Sequence, residues 1–185
     1  LFTILLLIFY IVGYYNFSYL EQWNTFIFNR DIYSDTLLQP GGIILLFSSF
    51  LVQLFVHPLL GNIISAFILT SIALILFNIL YLWSGNRVSF PLSLFPIASL
   101  IFLHYNVNYS YSGTLAILLM FFLLRLYLSF NKFIFSFSYS ILSTLLLYVL
   151  AGPIASLYVV ILIIVELSKL KLKSLFILLV PISLL

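Results

Sequence analysis

Apolar residues occur along this chain in long blocks that short polar stretches separate. These blocks cover residues 1–17, 59–83, 91–104, 113–128, 134–151, 154–167 and 174 onward. They lack the alternation of apolar and polar residues that is typical of half-buried strands. Because about 20 helical residues cross a bilayer core, the pattern predicts an all-α fold. We expect a polytopic transmembrane helical bundle with about seven crossings.

A shorter apolar segment at residues 43–56, IILLFSSFLVQLFV, allows two topologies. Ser49 and Gln53 share a helical face because they are four residues apart, and a Gly-Gly pair and a His-Pro pair flank the segment. These features favour an interfacial helix that lies flat on the membrane, within a first extracytoplasmic loop at residues 18–58. In the alternative, the segment crosses the membrane and the first helix reverses its direction.

Composition and charge support a membrane protein. The chain is 65% hydrophobic and 6% charged, whereas soluble domains contain about 25% charged residues. If the segment at 43–56 lies flat, six basic residues fall on one side, which the positive-inside rule makes cytoplasmic: Arg87, Arg125, Lys132, Lys169, Lys171 and Lys173. The net charge of +3 is too small and scattered to indicate a nucleic-acid partner.

The ends of the sequence indicate a longer protein. It begins at Leu1 and stops within the apolar run LFILLVPISLL. We therefore expect residues 1–185 to be a single transmembrane domain of a chain that continues beyond both ends. The absence of cysteine excludes thiolate metal sites within these residues.

Three of the four acidic residues, Glu21, Asp31 and Asp35, lie within fifteen positions in the predicted outer loop. A carboxylate there can act as a general base or hold a divalent metal. Glycosyl transfer from a lipid pyrophosphate needs such a base, and a cation that offsets the charge of the leaving phosphate. The competing interpretation is structural. Asp31 and Asp35 then cap short helices, and Glu21 pairs with Arg30 at the membrane surface.

Two histidines and a tyrosine complete the candidate outer face. His57 precedes Pro58, so we expect an extended backbone that ends a helix. His104 and Tyr105 begin the loop HYNVNYSYSG. With Arg30 they are candidate substrate-binding residues, although an interfacial aromatic belt is a competing explanation for the tyrosines. Two isolated histidines do not define a metal site, so a divalent metal is expected only through the carboxylates.

Glycine turns and one further acidic residue complete the pattern. QPGG at residues 39–42 lacks the Lys-Ser/Thr of a phosphate-binding loop and predicts a turn before a helix. Gly152-Pro153 predicts a helix break, because proline lacks an amide donor. Glu166 is predicted to pair with Lys169 on one helical face.

A group of these residues resembles the signature of a family of uncharacterised Bacteroidota polytopic inner-membrane proteins. The resemblance covers roughly residues 10–65 and rests on Tyr19-x-Glu21-Gln22, Phe26, Tyr33, Pro40-Gly41-Gly42, Phe50, Gln53, Phe55 and Gly61. It implies a multi-pass protein of the bacterial inner membrane, with further helices beyond residue 185. The family supplies no activity.

The layout also resembles polytopic glycosyltransferases that use lipid-linked sugars. That resemblance implies Asp31 as the base, Glu21 or Asp35 as alternatives, and a polyprenyl-linked sugar as a partner. The paired acidic motif of those enzymes is absent, since Ile32 follows Asp31. Two functions therefore stay open: a glycosyltransferase-like enzyme at the outer face, and a non-catalytic scaffold or subunit bound to other envelope proteins. Transport is disfavoured because the predicted helix interiors carry almost no ionisable residues.

Overall fold

The computed structural model describes residues 1–13, 17, 20, 22, 30–84, 89–106, 108–130 and 133–168, with the side chains of residues 30–32, 84 and 133 outside that description. Within these ranges the fold is all-α, as predicted. The α-helices are α1 (Phe2–Val12), α2 (Arg30–Leu37), α3 (Gly42–Gln53), α4 (Pro58–Ser84), α5 (Ser89–His104), α6 (Tyr111–Tyr127), α7 (Phe133–Ala151) and α8 (Ile154–Ser168).

Only two of the described helices are long and apolar enough to cross a membrane. They correspond to Pro58–Trp83 in α4 and Ile134–Ala151 in α7. The prediction of about seven crossings is therefore wrong. α1 has 11 residues, α8 has 15, α5 has 16 and α6 has 17, which is fewer than the roughly 20 that a crossing requires. The block from residue 174 onward lies outside the described residues.

The physical reason is that hydropathy does not distinguish a side chain that contacts another helix from one that contacts lipid. α8 buries Ala155, Tyr158 and Leu162 completely against its neighbours. Turns also interrupt the apolar blocks. α1 ends at Val12, with Gly13 as its C-cap, and the break between α7 and α8 lies at Gly152-Pro153, as predicted.

Two apolar cores hold the helices together, and α6 belongs to both. Its first half, around Leu115, packs in a core with α1, α3 and α4. Its second half, around Leu124, packs in a core with α7 and α8 that contains Leu147 and Leu162. α6 therefore fixes the position of the α7–α8 pair relative to α4.

The outer surfaces of the two long helices are largely apolar, with Asn78 and Ser138 as exposed polar residues. Near the middle of each helix, Leu74 is 52% exposed and Leu142 is 63% exposed. Phe67 on α4 is exposed as well. Soluble monomers rarely present large contiguous apolar patches to water. This surface is consistent with membrane association.

The segment at residues 43–56 is helical, and both of its predicted boundaries are confirmed. Gly41 caps α3 in the left-handed conformation, and a 3₁₀ turn (Leu54–Val56) follows α3. His57 is extended, with φ −98° and ψ 104°. The ring of Phe55 lies 5.3 Å from the ring of Tyr111, at the start of α6. The orientation of this segment in a bilayer stays a prediction.

Candidate functional site

The sequence-predicted site residues occupy different environments. The backbone of Arg30 and Asp31 forms the first turn of α2, while their side chains and Glu21 lie outside the described residues. Asp35 is exposed one turn further along α2, and His57 is exposed where the α3 segment ends. In the described part of the chain, no hydrogen bond or ring contact joins Asp35, His57 or His104 to another of the three. The structure therefore does not assemble these three residues.

His104 is buried in a cage of aromatic rings. Its ring centroid lies 5.4 Å from that of Tyr111, 5.6 Å from that of Tyr109 and 6.1 Å from that of Phe9. Its Nδ1 lies 2.8 Å from the carbonyl oxygen of Leu100. Because a carbonyl oxygen only accepts hydrogen bonds, the ring proton resides on Nδ1. This leaves Nε2 as an acceptor.

A short chain of hydroxyl groups follows from that assignment. Thr114 Oγ1 lies 3.5 Å from His104 Nε2, so the Thr114 hydroxyl donates a long hydrogen bond to the ring. The hydroxyl of Tyr109 lies 3.1 Å from Thr114 Oγ1 and donates to it. Burial lowers the pKa of His104, and the hydrogen bond to the Leu100 carbonyl opposes that shift only in part. A neutral, enclosed imidazole of this kind joins α5 to α6.

The other polar candidates give no metal site among the described residues. No group of three or more His, Cys, Asp or Glu side chains there is arranged to hold a metal ion. Tyr105 is half-buried, and its hydroxyl has no hydrogen-bond partner within the same residues. The expected divalent metal therefore has no defined location in this part of the chain.

Two glycine turns that the sequence singles out meet in space. The amide of Gly41 donates a 3.1 Å hydrogen bond to the carbonyl of Val149. This bond joins the turn between α2 and α3 to the last turn of α7. Gly41 has φ +87° and Gly152 has φ +69°. A Cβ atom on Gly152 would lie 2.9 Å from the carbonyl oxygen of Pro40. Only glycine fits this contact without movement, because it combines a left-handed backbone with close backbone approach.

A recess with a mixed polar and apolar lining, which we call the polar recess, lies beside this contact. We define it by its polar lining, which comprises Thr36, Gln39 and Ser112, together with the backbone of both glycine turns. Its volume is about 290 Å³. The first turns of α3, α6 and α8 contribute to its wall, whereas none of the described residues that line it is charged. The recess therefore brings residues 39–42, 112–113, 151 and 153 together at one end of the bundle.

The fourth acidic residue, Glu166, is buried at the opposite end of α6 and α8. The Tyr127 hydroxyl donates a 2.6 Å hydrogen bond to Glu166 Oε1, and both side chains are at most 3% exposed. The predicted partner, Lys169, lies outside the described residues. The burial of Glu166 was missed. The sequence feature that indicates this burial is the four-residue spacing of Tyr158, Leu162 and Glu166, which places all three on the buried face of α8.

Comparisons with known proteins are informative at the level of the family. No curated protein and no solved structure is significantly similar to this chain. A family model described as "Family of unknown function (DUF6057)" matches residues 1–185, the whole of the sequence. The expectation of an uncharacterised family is confirmed. This chain belongs to the DUF6057 family of unknown function.

Proposed function

We propose that this chain is a membrane-embedded, non-catalytic scaffold or subunit of an envelope complex. The observation that carries the proposal is the environment and bonding of the described polar side chains. Some are exposed singly, as Asp35 and His57 are. Others hydrogen-bond a carbonyl of their own helix, as Ser49 and Thr70 do, or join one helix to another. An active site would require titratable side chains to converge on a cavity, and none is among the described residues that line the polar recess.

Hydrogen bonds between helices account for much of the buried polar chemistry. The hydroxyl of Tyr127 on α6 donates a hydrogen bond to Glu166 on α8. Ser143 Oγ on α7 lies 3.0 Å from the hydroxyl of Tyr158 on α8. The hydroxyl of Tyr139 on α7 donates to the carbonyl of Leu123 on α6 at 3.2 Å. Such bonds join helices within an apolar surrounding. This supports a protein whose function depends on a fixed shape.

The bacterial inner membrane is part of this proposal. The apolar outer faces of α4 and α7 support lipid as their surrounding. Other envelope proteins are then the partners, since a scaffold acts by holding them in position. The proposal assigns no catalytic role to the exposed carboxylate of Asp35.

A lipid-linked glycosyltransferase is the second candidate function, and one observation favours it. Thr36 and Gln39, at the end of α2, line the polar recess. α2 also carries Asp31 and Asp35. A base on that helix would be close to a polar cavity at one end of the bundle. Asp31 is the preferred base in this candidate function, with Glu21 or Asp35 as the alternatives.

Blue native electrophoresis of gently solubilised native membranes tests the scaffold directly. We expect the chain to migrate in a complex larger than itself, and Asp31→Asn, Glu21→Gln and Asp35→Asn each to preserve that complex and the cell-surface glycans. Migration as a single chain would contradict the scaffold. Loss of a surface glycan in Asp31→Asn, with unchanged protein level and complex, would replace the scaffold with the transferase.

A further inference from the structure

A second cavity adjoins the polar recess and is entirely apolar in its lining. We call it the lateral groove and define it by its lining residues, which belong to α3, α4, α6 and α7: Ile43, Ile44, Phe47, Ile75, Leu115, Leu118, Leu119, Phe122 and Leu150. Its volume is about 470 Å³, within the range of roughly 300–1,000 Å³ that is typical of small-molecule sites. No polar side chain is among these described lining residues.

The groove opens on the outer surface of the bundle. Ile44 and Leu115 are buried and form its floor. Phe47 and Phe122 are about half exposed and form its rim. In a membrane-embedded protein, exposed apolar side chains of this kind face lipid. A hydrocarbon chain can therefore enter the groove from the side without crossing water.

The groove and the recess meet at Ile44, which lines both. Adjacent residues on two further helices continue from one cavity to the other: Leu115 and Ala116 on α6, and Leu150 and Ala151 on α7. The two cavities thus share part of their lining, and the polar groups belong to the recess. These include the amide of Gln39 and the hydroxyl of Ser112, which also shares a 2.7 Å hydrogen bond with the hydroxyl of Ser110.

We infer that the lateral groove binds one acyl chain of a membrane phospholipid, whose glycerol and phosphate oxygens lie in the polar recess. Hydroxyl and amide groups donate hydrogen bonds to such oxygens, and no carboxylate among the described lining residues repels a phosphate. The apolar lining favours a hydrocarbon chain because it offers no partner to a polar one. The inference rests on the proposed embedding in a membrane and extends it from general lipid contact to one specific site.

The occupant is a phospholipid in preference to a protein helix. A volume of about 470 Å³ suits a single chain, whereas an α-helix is about 10–12 Å across with its side chains. A purely apolar helix would also make no hydrogen bond to the Gln39 amide in the recess. A phospholipid fills both cavities with one molecule.

Photocrosslinking in proteoliposomes tests this site. The full protein is reconstituted with a phosphatidylglycerol analogue that carries a diazirine in one acyl chain, and labelled peptides are mapped by mass spectrometry. We expect labelling of the α3 and α6 residues of the groove that excess unlabelled phospholipid suppresses. Leu118→Trp fills the groove and should abolish this labelling. Leu126→Trp is the matched control, because Leu126 is exposed on α6 outside the groove.

Three results would overturn the inference. Labelling spread evenly over the exposed faces of α4 and α7, without suppression by excess lipid, would mean general lipid contact only. Equal labelling of the Leu118→Trp and Leu126→Trp variants would mean that the groove is not the site. Equal suppression by a diacylglycerol, which has no phosphate, would show that the recess does not bind the phosphate. If Leu118→Trp does not fold, Ser112→Leu in the recess supplies the test: labelling of the groove should fall, and unchanged labelling would overturn the inference. The first result leaves the proposed scaffold intact, so the two proposals fail separately.

Discussion

The backbones of Gly41 and Gly152 are in contact, and this contact joins the start of α3 to the end of α7. Each adopts a positive φ, and a Cβ atom on Gly41 would lie 3.1 Å from the carbonyl carbon of Ala151. The two turns are more than a hundred residues apart in the sequence. Their contact therefore joins two distant parts of the chain, and Gly41, Ala151 and Pro153 beside it line the polar recess.

We predict that Gly152→Ala destabilises the fold. The left-handed conformation costs an L-residue roughly 1–2 kcal/mol, and the added Cβ must also displace the carbonyl of Pro40. The free energy of unfolding, measured by denaturant titration in detergent micelles, should fall by at least about that amount.

Gly113→Ala is the control for this prediction. Gly113 lies in the first turn of α6 and is not among the glycines with positive φ. The nearest atom to its added Cβ is a side-chain end, the Tyr109 hydroxyl at 3.0 Å. Replacement of glycine by alanine in a helix gains up to about 1 kcal/mol, so a smaller loss is expected. An equal loss in both variants would contradict the role of the Gly41–Gly152 contact.

We predict that Tyr127→Phe is destabilising because it removes a hydrogen bond from the buried carboxylate of Glu166. Loss of one partner of a buried polar group costs about 1–3 kcal/mol. The same substitution should cost less in a Glu166→Gln background, since the amide is neutral. A double-mutant cycle measured by chemical unfolding gives this coupling.

Tyr139→Phe is the matched control for the Tyr127 cycle. Tyr139 donates to a backbone carbonyl, that of Leu123, and not to Glu166. Its effect on the free energy of unfolding should be the same in the unaltered protein and in the Glu166→Gln background. Zero coupling between Tyr127 and Glu166 would show that their 2.6 Å contact does not contribute to stability.

We predict that acid destabilises the fold through His104. Burial lowers its pKa in the folded state below the ordinary value of 6.5. The unfolded chain therefore binds a proton more readily as the pH falls below about 6.5, and the free energy of unfolding decreases. The contribution of neutral His104 to the free energy of unfolding is fully present above the pKa that His104 has in the unfolded chain. Thermal unfolding at pH 7.5 and at pH 5 should show a lower midpoint in acid.

His104→Gln should reduce this dependence on pH, because glutamine does not titrate in that range. His57→Gln is the control, since His57 is exposed at the end of the α3 segment. A pH dependence that is unchanged by His104→Gln but reduced by His57→Gln would show that His57, and not His104, causes the effect. That result would contradict the prediction.

Much of the helical architecture could be predicted from the sequence, and the failures have a common cause. Gly-Gly before α3, His-Pro after its 3₁₀ turn and Gly152-Pro153 after α7 gave correct boundaries, because backbone conformation at glycine and proline is a local property. The number of crossings could not be predicted in this way. Leu162, which is buried between helices, and Leu142, which is exposed, are chemically identical.

The candidate site was harder to predict than the fold. Asp35 and His57 attracted attention because charged or titratable residues are rare in this chain, yet both are exposed singly. The Gly41–Gly152 contact, the lateral groove and the burial of Glu166 depend on which helices meet. Single-sequence patterns carry little information on such long-range pairings. The spacing of Tyr158, Leu162 and Glu166 was the exception, and it was available in the sequence.

Site-directed spin labelling tests most directly whether the apolar faces of α4 and α7 lie in lipid, as we propose. The sequence has no cysteine, so single labels at Leu74, Leu142 and Asp35 need no background substitutions. In proteoliposomes we predict that labels at Leu74 and Leu142 collide often with oxygen and rarely with a water-soluble nickel chelate. The label at Asp35 should show the reverse. Ready access of the nickel chelate to Leu74 and Leu142 would place these faces in water and contradict the account.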